Sequence, residues 1–380
     1  MKSKKIFSAI LSVLLLSTCL ISFTACNSET AGGLEGAHVF MFKSTGNTFG
    51  DLMYEGFKEY IESKGGKAVY KSPATTTVAA QVSLIDELIT QKVASITIST
   101  NGEAGYDEVL KKAQNAGIKI VSVDSKVSPD YRITHVDPTS QSGVGETLVQ
   151  AAVLIAMRKD YPEDADIKKA CDDALADYKG EEIKLGVLSA SIDTPVQNGW
   201  IAKMEEELKR DVYKGKVSPT IDKKYGNDDP TVSTTQANAF ISENKVDVII
   251  SPTTVGMAAA GQALKSSKSD IKLTGLGLPS EMQDFMPKKS SDNAFDYVCP
   301  YMFLWDVIDL GRVAAAASWA AFDADFSGEM GKDFTIPATG EYKERKFTVE
   351  KHPDDEGTIV LVGAPYSFYK GNMETWIPKL

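Results

Sequence analysis

The sequence predicts an α/β protein of two similar lobes, each built on a parallel sheet. Three observations predict it. From residue 37 onward, short apolar strands alternate with amphipathic helices, the pattern of right-handed βαβ units. The alternation breaks at "VSPDYRITHVDPTSQSG" and restarts at "EIKLGVLSA". The first run contains "SITISTNGEAGYDEVLKKAQNAGIKIVSVDS", and the second echoes it as "DVIISPTTVGMAAAGQALKSSKSDIKLTGLG". Both read strand, Ser-led loop, helix, strand, which is a weak internal duplication. A chain of 380 residues is long enough for two sizeable cores.

The elements follow in order. "AHVFMF" is a strand. "TFGDLMYEGFKEYIESKG" sets Phe49, Leu52, Met53, Gly56, Phe57, Tyr60 and Ile61 at helical spacing, and glycine stops it. "KAVYKS" is a strand, "VAAQVSLIDELITQ" a helix and "ASITIST" a strand. "GYDEVLKKAQNAG" is a glycine-capped helix and "IKIVSVD" a strand. In the second run "EIKLGVLSA" is a strand and "PVQNGWIAKMEEELKR" a helix. Strand "VDVIIS", helix "VGMAAAGQALKSS", strand "IKLTGLG" and helix "SEMQDFMPKK" come later. Between the lobes, "DYPEDADIKKACDDALADYKGEE" reads as a solvated surface helix.

The formal net charge is −11. That balance argues against nucleic acid, whose phosphates need clustered Lys and Arg. A monomer is expected. At the N-terminus "MKSKK" is a positive region and "IFSAILSVLLLSTCLISFTA" an apolar one, followed by "FTAC" at residues 23–26. This resembles a bacterial lipoprotein signal, in which Cys26 is acylated and the peptide is cut before it. Phe23 departs from the usual leucine. The other reading is an uncleaved helix, because the run is close to the ~20 residues that span a bilayer. Residues 1–25 are thus expected to be a signal peptide, and 26–36 a tether, with a lipid on Cys26 as the only membrane contact. Cys171 and Cys299 are too few and too far apart for a metal site and are expected to stay separate thiols.

In open parallel sheets, ligands bind beyond the carboxyl ends of the strands. Those ends carry Lys43, then Ser99, Thr100 and Asn101, then Asp124 in the first run. In the second they carry Asp193 to Asn198, Pro252 to Thr254 and Gly275 to Pro279. If the lobes face each other, all these loops converge on one crevice. Lys43 alone admits three readings: a solvated strand end, a phosphate ligand at a helix N-terminus, or a polar anchor of a small-molecule cleft. Paired with Asp124, Asn101 and Gln197, it suits a ligand hydroxyl that both donates and accepts. Both Lys43 and Asp124 are expected near the strand-end surface. Trp305, Phe49 and Trp200 are aromatic faces that suit the C–H face of a sugar or a core. For Trp200, at helical spacing from Val196 and Met204, core is expected.

Enzyme signatures are thin. There is no G-x-S-x-G, G-x-G-x-x-G or P-loop. The three histidines, His38, His135 and His352, lie away from the strand-end loops. "DYPEDADI" and "GNDDPT" lack the glycine and terminal glutamate of a calcium loop. No cofactor and no metal are expected.

The strings "KSTGNTFGD", "SVDSKVSP", "QNGW", "SPTTVG", "TGLGLPSEM" and "LWDVIDLG" resemble the periplasmic sugar-binding proteins of ABC importers, over nearly the whole mature chain. They are most similar to the subgroup of rhamnose-binding and Lsr-type autoinducer-2-binding proteins. "PTTVG" and "TGLGLPSEM" look like the rhamnose side, and "LWDV" like the autoinducer side. The resemblance implies a type I periplasmic-binding-protein fold, with two doubly wound parallel-sheet lobes joined by a multi-strand hinge. Crossovers are expected near "THVDPTS", near "VCPYMF" and near the C-terminus. Residues 37–137 plus about 302–325 would form the N-terminal lobe. Residues 138–300 plus about 326–380 would form the C-terminal lobe and hinge returns.

It also implies a function: an extracytoplasmic solute-binding lipoprotein that passes a small polyhydroxylated ligand to an ABC importer permease and catalyses nothing. The ligand implied is a rhamnose-like deoxy sugar. Autoinducer-2 uptake for signalling is one alternative and an enzyme on the same sheet another. A repressor of the LacI type shares the fold but would carry a helix-turn-helix where this chain has a signal-like segment. Autoinducer-2 binders hold their ligand with a lysine, an aspartate, a second-lobe aspartate–glutamine pair, a proline and an alanine. Lys43, Asp124, Gln197 and Pro252 match. Val196 stands in place of the paired aspartate and Thr254 in place of the alanine. Thr253 and Thr254 match the rhamnose side instead. Asn47, Phe49, Asn101 and Trp305 complete the expected set. Val196 would add an apolar surface to the pocket, with Asp193 on the same loop as the candidate substitute for the lost carboxylate.

Overall fold

The strand that begins at His38 is buried at every residue, as a parallel strand covered on both faces must be. The computed structural model describes residues 33–163, 165–324, 326–338 and 343–380. The expected signal peptide, Cys26 and most of the tether lie outside them. Among the described residues no helix is long and apolar enough to cross a membrane.

The first-run strands are β1 (His38–Met41), β2 (Ala68–Lys71), β3 (Ser95–Ile98), β4 (Lys119–Val123) and β5 (His135–Asp137). The second run supplies β6 (Leu185–Ser189), β7 (Asp222–Tyr225), β8 (Val248–Ser251) and β9 (Lys272–Gly275). Six short strands follow: β10 (Met302–Leu304), β11 (Asp333–Ile336), β12 (Arg345–Thr348), β13 (Glu350–Lys351), β14 (Thr358–Leu361) and β15 (Tyr366–Phe368). One sheet has seven strands in the order β13-β14-β5-β4-β3-β1-β2, and another has four in the order β7-β6-β8-β9. Every pair in both is parallel except the β13–β14 edge. The two-lobe parallel-sheet fold read from the sequence is the fold observed.

The chain passes between the sheets three times. β5 ends at Asp137, and the next helix, Gln141–Ala156, packs on the helix Pro195–Glu207 and on β8 and β9. β10, bridged to the end of β9 through Leu276 and Phe303, leads into the helix Val307–Asp323, which returns to the first sheet. β14 then pairs with β5, and β15 pairs back with β10. Thr358–Leu361 therefore extends the first sheet, although residues 326–380 were expected with the second lobe and the hinge. Ile359 and Val360 are buried there.

Two glycines fix the closest helix crossing. A Cβ on Gly56 would collide with the carbonyl of Ile308, and one on Gly311 with the carbonyl of Met53. The helices Thr48–Ser63 and Val307–Asp323 can thus approach backbone to backbone. Gly311 is the last residue of "LWDVIDLG", so that string has a packing reason.

Several elements escaped the sequence reading, among them the helix Val307–Asp323 and the strands β11 to β15. The helix Gln141–Ala156 fell in the break between the runs, because its last residues are buried all round and show no amphipathic period. β7 reads "DKKY" and is an edge strand with no fully buried residue. The helix Pro230–Glu243 buries only Ser233, Ala237 and Phe240. Two others are shorter than expected. "SEMQDFMPKK" is helical only over Pro279–Met282, and the acidic segment only over Ile167–Ala176, with Cys171 and Leu175 buried beneath it. Cys171 and Cys299 are separate buried thiols.

Two of the histidines do find serine partners, but inside the first sheet. His38 Nδ1 lies 2.8 Å from Ser95 Oγ and His135 Nδ1 lies 2.9 Å from Ser122 Oγ. Burial lowers the His38 pKa to about 4 and, with nearby Arg132 and Lys126, that of His135 to about 3.

Candidate functional site

Lys43 stands two residues past β1, and Asp124 directly follows β4. Lys43 Nζ lies 2.8 Å from Asp124 Oδ2. Ser99 Oγ, beyond β3, donates to the same oxygen at 2.8 Å. Three adjacent strand ends thus meet at one carboxylate. Lys43 is only 3% exposed and Asp124 4%, so the pair is more deeply buried than the sequence suggested. Asp124 has φ 60°, the left-handed region. A non-glycine residue held there costs roughly 1–3 kcal/mol and marks a functional or strained site.

A second group holds these loops in place. Gln81 Nε2 donates to the carbonyls of Ser99 (2.8 Å) and Phe42 (3.4 Å). Its Oε1 accepts from Asn101 N–H (2.9 Å) and from Tyr106 OH (2.5 Å). Burial pushes the Tyr106 hydroxyl up to about 12, so it stays a donor. Asn101, expected among the ligand contacts, stands back from the cleft wall. Its Nδ2 donates to the Lys43 carbonyl at 2.9 Å, so it positions the lysine's backbone.

The cleft is lined by Lys43, Asn47, Phe49, Asp124, Gln197, Pro252, Thr253, Thr254 and Trp305, together with Phe42, Trp200, Asp228, Leu276 and Leu304. The empty space among these residues, open solvent included, is about 350 Å³. Asn47 caps the helix Thr48–Ser63, its Oδ1 accepting from Phe49 N–H (3.1 Å) and Gly50 N–H (3.3 Å). Phe49 meets Trp305 edge-on at 6.1 Å, and Trp305 lies 5.8 Å from Trp200. With Leu276 and Leu304 these rings make an apolar wall.

Trp200 was read as core. It is buried, 1% exposed, yet it also lines the cleft. Among the described residues Trp200 Nε1, Trp305 Nε1 and Gln197 Oε1 are buried without a hydrogen-bond partner. Buried polar atoms are seldom left unpaired. Here two donors and one acceptor, all on cleft-lining residues, can serve a hydroxylated ligand.

The second-lobe side departs from expectation. Val196 is 3% exposed but forms no part of the cleft wall. It points into the core because it sits beside Pro195 in the first turn of a helix that buries this face. Asp193 is exposed on the loop before that helix, its N–H bonded to Ser191 Oγ, and does not substitute. The carboxylate in the wall is Asp228, from "GNDDPT". Thr253 Oγ1 donates to Asp228 Oδ1 at 2.6 Å. Burial raises the Asp228 pKa and the charge of Asp124 adds to it, while Lys43 and the Thr253 bond pull it down. Sequence reading weighed this stretch only as a calcium loop. Its one available signal was an Asn-Asp pair directly after a strand. No cluster of three metal-ligating side chains occurs among the described residues.

A family model described as a periplasmic binding protein domain matches residues 38–325. The fold is similar to that of an ABC transporter solute-binding protein from Clostridium phytofermentans with bound L-rhamnose. The two are 30% identical with a TM-score of 0.78, over 90% of this chain and 98% of that one. LsrB from Clostridium saccharobutylicum, in complex with AI-2, is 24% identical with a TM-score of 0.74, over 90% of this chain and 99% of that one. A sugar ABC transporter protein from Actinomyces odontolyticus is 28% identical with a TM-score of 0.61, over 91% and 98%. Among curated proteins, the fructose import binding protein FruE of Bifidobacterium longum is 26% identical over 159 residues, 39% of this chain and 47% of that protein. The matched region thus spans about half the length of that relative.

Proposed function

Since this chain belongs to the periplasmic binding protein family, we propose that it is the extracytoplasmic solute receptor of an ABC sugar importer, and that its solute is a rhamnose-like deoxy sugar. It binds and releases; it has no reaction to catalyse. The observation that carries the ligand assignment is the mixed lining of the cleft. Lys43, Asp124, Gln197 and Thr254 supply polar groups, and Phe49, Leu276, Leu304 and Trp305 supply apolar surface. A deoxy-hexose combines the same two kinds of surface, a ring of hydroxyls and a methyl group. Autoinducer-2 also carries a methyl group but is a more compact furanose with fewer carbons, and covers less of that apolar surface.

The 30% identity to a rhamnose-bound protein supports this reading. The autoinducer-2 binder, at 24%, supports the fold alone.

The lobes, with boundaries near residues 137 and 302 and a return by Thr358–Leu361 to the first sheet, close on the ligand by rotation about the three crossovers. A lipid on Cys26 anchors the protein to the outside of the membrane, where it meets its permease. Mass spectrometry of the small molecule that copurifies with the protein tests the ligand. A deoxy-hexose supports the proposal and a furanosyl diester of boric acid or its parent diketone overturns it. Membrane fractionation of Cys26→Ser tests the anchor, which fails if the variant partitions and migrates like the unaltered protein.

A further inference from the structure

The loop between β7 and the helix Pro230–Glu243 carries Asp228 into the cleft. Asn227 and Asp228 are consecutive residues in the left-handed region, with φ 56° and 50°. Side chains are rarely held there in pairs without a reason. The loop is tied at both ends. Gly226 N–H and Asn227 N–H donate to the carbonyls of Ser189 (2.8 Å) and Ala190 (3.0 Å), and Asp229 caps the next helix through Val232 N–H (2.8 Å). It is also touched from the other lobe, where Thr76 Oγ1 donates to the Asn227 carbonyl at 3.4 Å. The double left-handed turn sends Asp228 into the cleft while Asp229 turns back to its helix.

Thr253 fixes the carboxylate. It is the cap position of the helix Thr254–Ser267, yet its hydroxyl caps nothing; it donates to Asp228 Oδ1 instead. That leaves Oδ2 of Asp228 for a ligand. The Lys43 and Asp124 charges both act on this group from across the cleft. The cleft wall thus holds one ammonium and two carboxyl groups. Asp228 is partly buried, and a ligand anion beside two carboxylates meets like charge that Lys43, already paired with Asp124, does not offset.

We propose that Asp228, held by Thr253, is the second-lobe carboxylate of the ligand cleft, and that with Asp124 opposite it restricts the cleft to neutral polyols, rejecting sugar acids and sugar phosphates. The inference rests on the sugar-binding reading above and deepens it. Asp228 accepts a hydrogen bond from a ligand hydroxyl turned toward the second lobe, the part expected of an aspartate at position 196. Thr253 is then a positioning residue.

The test uses ligand-stripped full-length protein and matched pairs of probes, L-rhamnose with L-rhamnonate and D-fucose with D-fuconate, with autoinducer-2 added. Binding is read by calorimetry and by melting temperature. The unaltered protein should bind at least one neutral probe and bind its acid counterpart at least a hundredfold more weakly. Asp228→Asn is close in shape and suits a left-handed φ, so it should fold normally. It should weaken the neutral probe about tenfold and narrow the neutral-to-acid ratio by at least tenfold. Thr253→Val should reproduce part of the first effect, and Thr253→Ser should restore it. If autoinducer-2 binds and neither deoxy sugar does, the ligand assignment fails, and Asp228→Asn still tests this inference on autoinducer-2. Equal or tighter binding of an acid by the unaltered protein overturns the inference. So does an Asp228→Asn variant with unchanged affinity and selectivity. Absence of binding by every probe overturns both readings together.

Discussion

The Lys43 ammonium lies 2.8 Å from the Asp124 carboxylate, in a wall where neither side chain is more than 4% exposed. An ion pair so placed is coupled to stability as well as to ligand. Removing one partner leaves the other charge buried and unpaired, a loss of about 3–5 kcal/mol. A single lost charge-assisted hydrogen bond to ligand is worth about 1.5–3 kcal/mol.

Lys43→Ala is therefore expected to lower both affinity, by roughly tenfold to a hundredfold, and the urea midpoint of the ligand-free protein. Asp124→Ala should do the same. The double replacement Lys43→Met with Asp124→Leu should recover much of the stability and none of the affinity. A Lys43→Ala protein as stable as the parent would show that the pair is effectively solvated, the arrangement expected from sequence.

Trp305 tests the unpaired donors. Its ring packs against Phe49 and Trp200, and its Nε1 is buried without a partner among the described residues. Trp305→Phe keeps an aromatic ring and removes the N–H. Calorimetry should show about a tenfold loss of affinity, the worth of one hydrogen bond of roughly 1–1.5 kcal/mol, with little change in melting temperature. Full affinity in this variant would assign Trp305 to packing alone.

Val196→Asp separates the observed cleft from the expected one. Had Val196 faced the ligand, an aspartate there would have moved preference toward autoinducer-2. Because it faces the core, the variant should bury an unpaired carboxylate and destabilise the protein by several kcal/mol. Its relative preference among ligands should not change. A stable variant with strengthened autoinducer-2 binding would return position 196 to the cleft.

Acid sensitivity follows from His38. Its folded pKa is about 4, lowered by burial against Trp319 and Phe322, while an unfolded histidine titrates near 6.5. The folded state then binds fewer protons than the unfolded state between these values, so stability rises with pH across that window. The contribution is complete above about pH 6.5 and is lost as pH falls toward 4, amounting to about 3 kcal/mol at 1.36 kcal/mol per pKa unit. His135 and His352, also lowered by burial, have the same sign. The Asp137 carboxyl, raised well above its usual value by burial, has the opposite sign and loses stability as pH rises. Urea midpoints at pH 7.5 and pH 5 should differ in the parent and differ less in His38→Gln. Equal slopes in the two proteins would contradict the assignment.

Strands β1 to β4 of the first sheet were legible because they are short apolar runs between amphipathic helices, and period alone finds them; β5, β13 and β14, which complete that sheet, are too short or too irregular in pattern to stand out. The lining residues Lys43, Asp124, Gln197, Pro252 and Thr254 were legible because strand ends converge in this architecture. What escaped did so for physical reasons. Helix 141–156 is buried on all sides near its end, so it has no polar face to reveal its period. β7 is an edge strand, and its lysines read as loop. Trp200 meets both a core and a cleft, and helical spacing cannot tell which. Asp228 reaches the site through a left-handed turn that leaves little trace in sequence beyond Asn-Asp.

The central claim, that this cleft takes a deoxy sugar, is tested most directly by calorimetry of the unfolded, stripped and refolded protein against L-rhamnose and autoinducer-2 in parallel. The expected result is saturable one-to-one binding of L-rhamnose, tighter than any heat from autoinducer-2. Tight one-to-one binding of autoinducer-2 with no heat from L-rhamnose would contradict it.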